Sequence, residues 1–138
     1  MTRLSDLEGK VIKSIFINKK KGNDYVWFIM ANGEQYILYC NDSKSYIERY
    51  STDHNSLSGG RVKYTEEEVY SGSRGIDAGY GQQTFLKVCT DYGEMSVVWY
   101  VSGNDIFLPY IKFEIVDENN KYLLTRQSRK CKVAPMLD

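Results

Sequence analysis

From Lys10 to Asn18 the chain reads KVIKSIFIN, and apolar residues return at nearly every second position. Side chains alternate across a strand, so this stretch predicts one with Val11, Lys13, Ile15 and Ile17 on one face and Ile12, Ser14 and Phe16 on the other. A polar turn, KKKGND (19–24), leads into YVWFIMA (25–31), which is apolar on both faces and reads as a central strand. Asn32-Gly33 then predicts a tight hairpin, because both residues tolerate the positive φ of a two-residue type I′ turn. EQYILYC (34–40) returns as the third strand of a meander. The theme recurs later: TFLKVCT (84–90), the turn DYGE (91–94) and MSVVWYVS (95–102) predict a second hairpin. YIKFEIV (110–116) alternates with Ile111, Phe113 and Ile115 on one face, and Pro109 stands at its start, where a missing N–H is tolerated.

The remaining segments carry weaker patterns. LSDLEG (4–9) predicts a short helical turn capped by Ser5, with Glu8 closing a capping box and Gly9 stopping it. The polar stretch 41–60 suits a short helix or an irregular edge, and 61–69 mixes strand and helix signals. Four glycines in SGSRGIDAGYGQ (71–82) read as a mobile loop. After Glu118 the alternation stops; 119–138 reads as a basic extension with Lys121, Arg126, Arg129, Lys130 and Lys132 and a small apolar patch, Tyr122 to Leu124. The expected fold is therefore mainly β. It is one β domain (1–118), a twisted antiparallel sheet of about six strands curled toward a half-barrel or sandwich, with one or two short helices.

Composition changes this picture little but narrows function. The 138 residues are 42 % hydrophobic and 26 % charged, enough apolar material for one core without metals or disulfides. Eighteen basic residues balance eighteen acidic ones, which disfavours a chain-wide field for nucleic acid or membranes. Twelve tyrosines fit strands and binding surfaces alike. Cys40, Cys89 and Cys131 form no CxxC pair, the first residues hold no signal-peptide core, and no apolar run is long enough to span a bilayer. The reading is a cytoplasmic protein with reduced thiols.

Catalytic motifs are missing from the sequence. His54 is the only histidine, and no GxSxG, HExxH, P-loop or dinucleotide fingerprint occurs, so no cofactor and no metal are expected. Asp42 or Glu67 could serve a histidine-independent hydrolase, although the Glu66–Glu68 run reads first as a solvated face. Cys40 reads as a small buried hydrophobe. Binding chemistry is richer. Tyr39, Tyr46, Tyr50, Trp99, Tyr100 and Phe107 gather near the ends of the two hairpins, with Asp42, Arg74 and Asn104 in adjoining loops. Aromatic faces beside Arg and Asn suit a nucleobase through stacking and edge hydrogen bonds, or a protein partner's hot spot. Core packing competes for some of these rings, Trp99 above all.

The order LEGKVIKSI, FIMANGEQYILYCNDSKS and TFLKVCTDYGEMSVVWYVSGND resembles a family of small bacteriophage and prophage proteins, a domain of unknown function numbered 7448. Gly9, Lys10 and Ile12 match its opening; Asn32, Gly33, Tyr36, Leu38 and Tyr39 match its second element; Thr84, Phe85, Lys87, Gly93, Val97 and Trp99 match its third. The resemblance covers about residues 7 to 116. Cys40 stands where that family tends to carry a histidine, and Asp42 is the acid kept nearby. The resemblance implies a host bacterial cytoplasm and a stoichiometric, non-enzymatic role. The protein would bind and block a defence protein, or sequester a small nucleotide signal, with a homodimer as a further expectation from its sheet edges. The rival readings are the small hydrolase and nucleic-acid binding through Lys121 to Lys132.

Overall fold

A computed structural model describes residues 2–20, 23–40, 45–52, 57–73, 80–102, 111–127 and 132–133. After a 3₁₀ turn at Leu4–Leu7 come β1 (Ile12–Asn18), β2 (Tyr25–Met30), β3 (Gln35–Tyr39), β4 (Tyr46–Thr52), β5 (Val62–Ser73), β6 (Tyr80–Thr90), β7 (Gly93–Ser102) and β8 (Lys112–Ile115). A helix, α1 (Lys121–Gln127), and a two-residue strand, β9 (Lys132–Val133), follow. The strands form two antiparallel sheets, ordered β8-β3-β2-β1-β9 and β4-β7-β6-β5. The chain is mainly β, as the alternation predicts.

One core draws on both sheets. Ile15, Ile17, Val26, Phe28 and Leu38 come from the first sheet; Ile47, Leu86, Val88, Val97 and Trp99 come from the second. The sheets therefore bury their apolar faces against each other as a sandwich. The face assignment within β1 needs one correction. A bulge between Ile12 and Ser14 resets the alternation, so Ile12 joins Ile15 and Ile17 in the core instead of lying opposite them.

At one corner the sheets are stitched together. Val11 pairs with Arg61, the Gly9 N–H donates to the Val62 carbonyl, and the Ile12 N–H donates to the Gly60 carbonyl. Backbone must come very close here. A Cβ at Gly60 would lie 2.7 Å from Thr90 Oγ1, so glycine is the residue that fits. The 3₁₀ turn is also held at this corner. Its cap differs from the expected one: the Asp6 carboxylate accepts the Arg3 N–H at 2.9 Å, while Glu8 accepts from the Thr65 N–H at 3.0 Å.

The first hairpin forms, with a different turn. The Gly33 N–H donates to the Met30 carbonyl and the Met30 N–H to that of Glu34, enclosing three residues instead of two. Gly33 carries the positive φ, at +93°, and Asn32 contributes through its side chain, whose Oδ1 accepts the Glu34 N–H. This is the turn-plus-bulge solution of a three-residue loop.

Three segments depart from the sequence reading. Residues 46–52 are a strand, β4, paired with β7. Both ends of the glycine-rich stretch are strand too: β5 runs to Ser73, β6 starts at Tyr80, and Gly72 pairs with Gly81; residues 74–79 lie outside the described residues. Finally, the boundary at 118 does not end the β body. α1 seats Leu124 (6 % exposed) among Tyr25, Ile37 and Tyr39 on the outer face of the first sheet, with Leu123, Val116 and Trp27 around them, and β9 pairs with β1. The physical reason is the Tyr122–Leu124 patch, which buries Leu124 against the sheet and leaves Tyr122 exposed. Asn120 starts the helix: its amide donates to the Ile115 carbonyl, and its Oδ1 accepts the Asp117 N–H.

Candidate functional site

The expected site residues do not converge on one place. Asp42, Arg74, Asn104 and Phe107 lie outside the described residues, as does His54. Trp99 is fully buried in the core between the sheets, so the expectation that it touches a ligand is corrected: its face of β7 is the inner one, shared with Val97 and Met95. Tyr39 is also enclosed, in the smaller core beneath α1. Its hydroxyl donates to Glu114 Oε1 at 2.9 Å, and burial, then this carboxylate, holds its pKa well above the usual tyrosine value. Tyr50 is 40 % exposed but pairs with Val97, which places it on the opposite face of β4 from Tyr46.

Tyr46 and Tyr100 do meet. They pair directly across β4 and β7, with ring centroids 5.4 Å apart and planes inclined at 47°. Tyr46 then forms one wall of a cleft of about 320 Å³ whose described lining is completed by Lys19, Asp24 and Ile47. Lys19 and Asp24 flank the β1–β2 turn. That turn is closed by two contacts: the Asn18 amide donates to the Asn23 carbonyl at 2.9 Å, and the Asn23 N–H donates to the Lys20 carbonyl at 2.7 Å. The closure delivers Asp24 to the first position of the strand approach, where it reaches across to the other sheet.

Asp24 is the residue the sequence reading missed. It is 6 % exposed. Its Oδ2 accepts the Ile47 N–H at 2.8 Å, while its Oδ1 is buried with no hydrogen-bond partner among the described residues. Burial raises its pKa; the Ile47 N–H and the Lys19 charge oppose that shift. No sequence signal distinguishes it, because its partner lies in a strand 23 residues away.

The raised pKa has a measurable consequence. A carboxyl whose folded pKa exceeds its unfolded one contributes stability below the ordinary carboxylate range, and loses it as pH rises through the folded value. Asp24→Asn keeps an acceptor for Ile47 but cannot ionise. The variant should therefore gain stability relative to the parent as pH climbs from about 4 to about 7. Urea unfolding of both proteins across that range checks this; a constant difference between them would show that Asp24 does not titrate abnormally.

Other chemistry is sparse. Among the described residues no three His, Cys, Asp or Glu side chains gather closely enough to hold a metal ion. Glu66, Glu67 and Glu68 are all exposed along β5, the edge of its sheet. Charges there discourage edge-to-edge pairing. Beside them Lys87 pairs with Glu94 at 3.3 Å and sits 5.9 Å from the centre of the Tyr64 ring. Cys40 packs at the margin of the main core. No helix among the described residues is long and apolar enough to cross a membrane.

Comparison with family models, with curated proteins and with solved structures finds no match to this chain.

Proposed function

We propose that this protein is a non-enzymatic binding protein that captures a small nucleotide-type molecule in the cleft formed by Lys19, Asp24, Tyr46 and Ile47. The observation that carries the reading is the cleft of about 320 Å³ that brings a cation, Lys19, and an aromatic residue, Tyr46, together beside Asp24 and Ile47. A tyrosine ring gives a flat ligand a stacking surface, and a lysine gives an attached phosphate a counter-charge. These groups suit a bound nucleotide.

The biological setting of this proposal comes from the resemblance to small phage and prophage proteins. In that setting, capture of a nucleotide signal would remove a component of bacterial antiviral defence, in the host cytoplasm and by stoichiometry. Native mass spectrometry tests it. Protein purified from bacteria and mixed with a panel of nucleotides should show a mass increment of one ligand per binding site, with a plateau and no product. Product accumulating with time would replace this reading with a hydrolase; an unchanged mass with every nucleotide would remove it.

A further inference from the structure

Asn32-Gly33 is the one Asn-Gly step in the chain. Such a step is chemically vulnerable, because glycine has no side chain to hinder the approach of its nitrogen to the asparagine amide carbon. Both residues are exposed at the tip of the β2–β3 hairpin, at the other end of β2 from the cleft. A Cβ placed on Gly33 would meet no described atom within 4 Å, so water reaches this step freely. The groups that would react are nevertheless engaged. The Gly33 N–H donates to the Met30 carbonyl at 3.0 Å. The Asn32 amide is held at both ends: its Oδ1 accepts the Glu34 N–H at 2.9 Å, and its Nδ2 donates to Glu34 Oε1 at 3.1 Å. Glu34 is itself anchored by Lys10 at 3.1 Å and by the Tyr36 hydroxyl at 2.9 Å. The Asn32 amide, then Lys10 and Tyr36, hold the Glu34 carboxyl below its usual pKa, so at neutral pH it is an ionised acceptor.

We propose that Asn32 is a site of spontaneous isoaspartate formation, and that the Glu34 carboxylate restrains the reaction while the hairpin is closed. The Gly33 nitrogen loses its proton and bonds to Asn32 Cγ. The Cγ–Nδ2 bond breaks, and Nδ2 leaves with a proton as ammonia. Water then opens the five-membered imide at one of its two carbonyls. One opening gives aspartate; the other gives isoaspartate, whose backbone runs through the side chain and is longer by a methylene. No oxidant or reductant takes part. To close the ring, Asn32 must turn away from Glu34, and Gly33 must release the Met30 carbonyl. Each hydrogen bond given up adds its net worth to the barrier. The product also disturbs the loop. An extra backbone atom enters a three-residue loop closed by the Met30 N–H and the Glu34 carbonyl, and the new carboxylate stands beside that of Glu34. The Ala31 N–H donates to the Val11 carbonyl at 2.8 Å, so the disturbance is passed on to the stitched corner.

Peptide mapping by mass spectrometry tests this on the intact chain aged at neutral pH. Each event adds about one mass unit to the peptide that contains Asn32, and chromatography separates its aspartate and isoaspartate forms. The native parent should react about tenfold or more slowly than the same chain unfolded in guanidinium chloride. Glu34→Ala should raise the native rate about threefold or more, while Glu34→Gln, which keeps an acceptor oxygen for Nδ2, should stay near the parent. Should the alanine variant fail to fold, the comparison of native with unfolded parent decides alone. A native parent that reacts as fast as the unfolded chain would overturn the restraint. A folded Glu34→Ala variant no faster than the parent would overturn the part given to Glu34. No isoaspartate at position 32 even in the unfolded chain would overturn the site itself.

Discussion

Trp99→Ala will lower the unfolding free energy by about 3–5 kcal/mol, the range for truncating a large aromatic in a packed core. Trp99 is the largest fully buried side chain among the described residues, and it sits where both sheets contribute to the core. Ile47 and Thr84 pair with it from the strands on either side. Small domains have only about 5–15 kcal/mol in total, so the variant should be partly unfolded at body temperature. Urea denaturation followed by circular dichroism measures this. Trp99→Phe should cost less than half as much. It leaves a smaller cavity, and it removes an indole N–H that is buried with no acceptor among the described residues. An alanine variant within about 1 kcal/mol of the parent would mean that Trp99 is not in the core. Any loss of ligand binding by Trp99→Ala must be read against this loss of fold.

Leu124→Ala should cost about 2–3 kcal/mol and act locally. Leu124 is the buried residue among the described side chains of a seven-residue helix, too short to persist without packing. Once it is truncated, α1 should detach from the face made by Tyr25, Ile37 and Tyr39. Trp27 reports the event. It belongs to that cluster, stacks on Phe16 with ring centroids 4.8 Å apart, and donates from its indole to Gln35. Its emission should shift to the red, and amides of 121–127 should exchange faster, while those of β6 and β7 keep their protection. Unchanged emission together with unchanged exchange would show that the helix holds by other means.

How much of this was legible beforehand depended on whether alternation or tertiary contact decided the outcome. β1, β7 and the second half of β6 stand where apolar runs are bounded by turn signals, and β2 and β3 are apolar on both faces because one face lies on the main core and the other on the smaller core beneath α1. β4 escaped notice because Ile47 is its one fully buried apolar residue and the rest of the strand is polar or aromatic. Gly72 and Gly81 looked like breakers but oppose each other in a hairpin, where neither has to fill a core. The helix did leave a trace: Asn119-Asn120 before an apolar patch is an N-terminal signal, masked by the basic composition of the residues that follow. Among the residues singled out by type, Tyr46 lines the cleft and Tyr100 packs against its ring. Asp24 was not one of them, since its burial and its bond to Ile47 arise only when the two sheets meet.

The stitched corner also bears on how quickly this chain can reach its native form. The Arg61 guanidinium there donates to the Gly9 carbonyl, a partner 52 residues distant along the chain. Such a junction cannot assemble from neighbours; a long intervening segment must first be closed, at an entropic cost that no local contact returns. The rate of self-assembly should therefore be set at this seam, with slow kinetics and little stable structure in either sheet until the seam has joined.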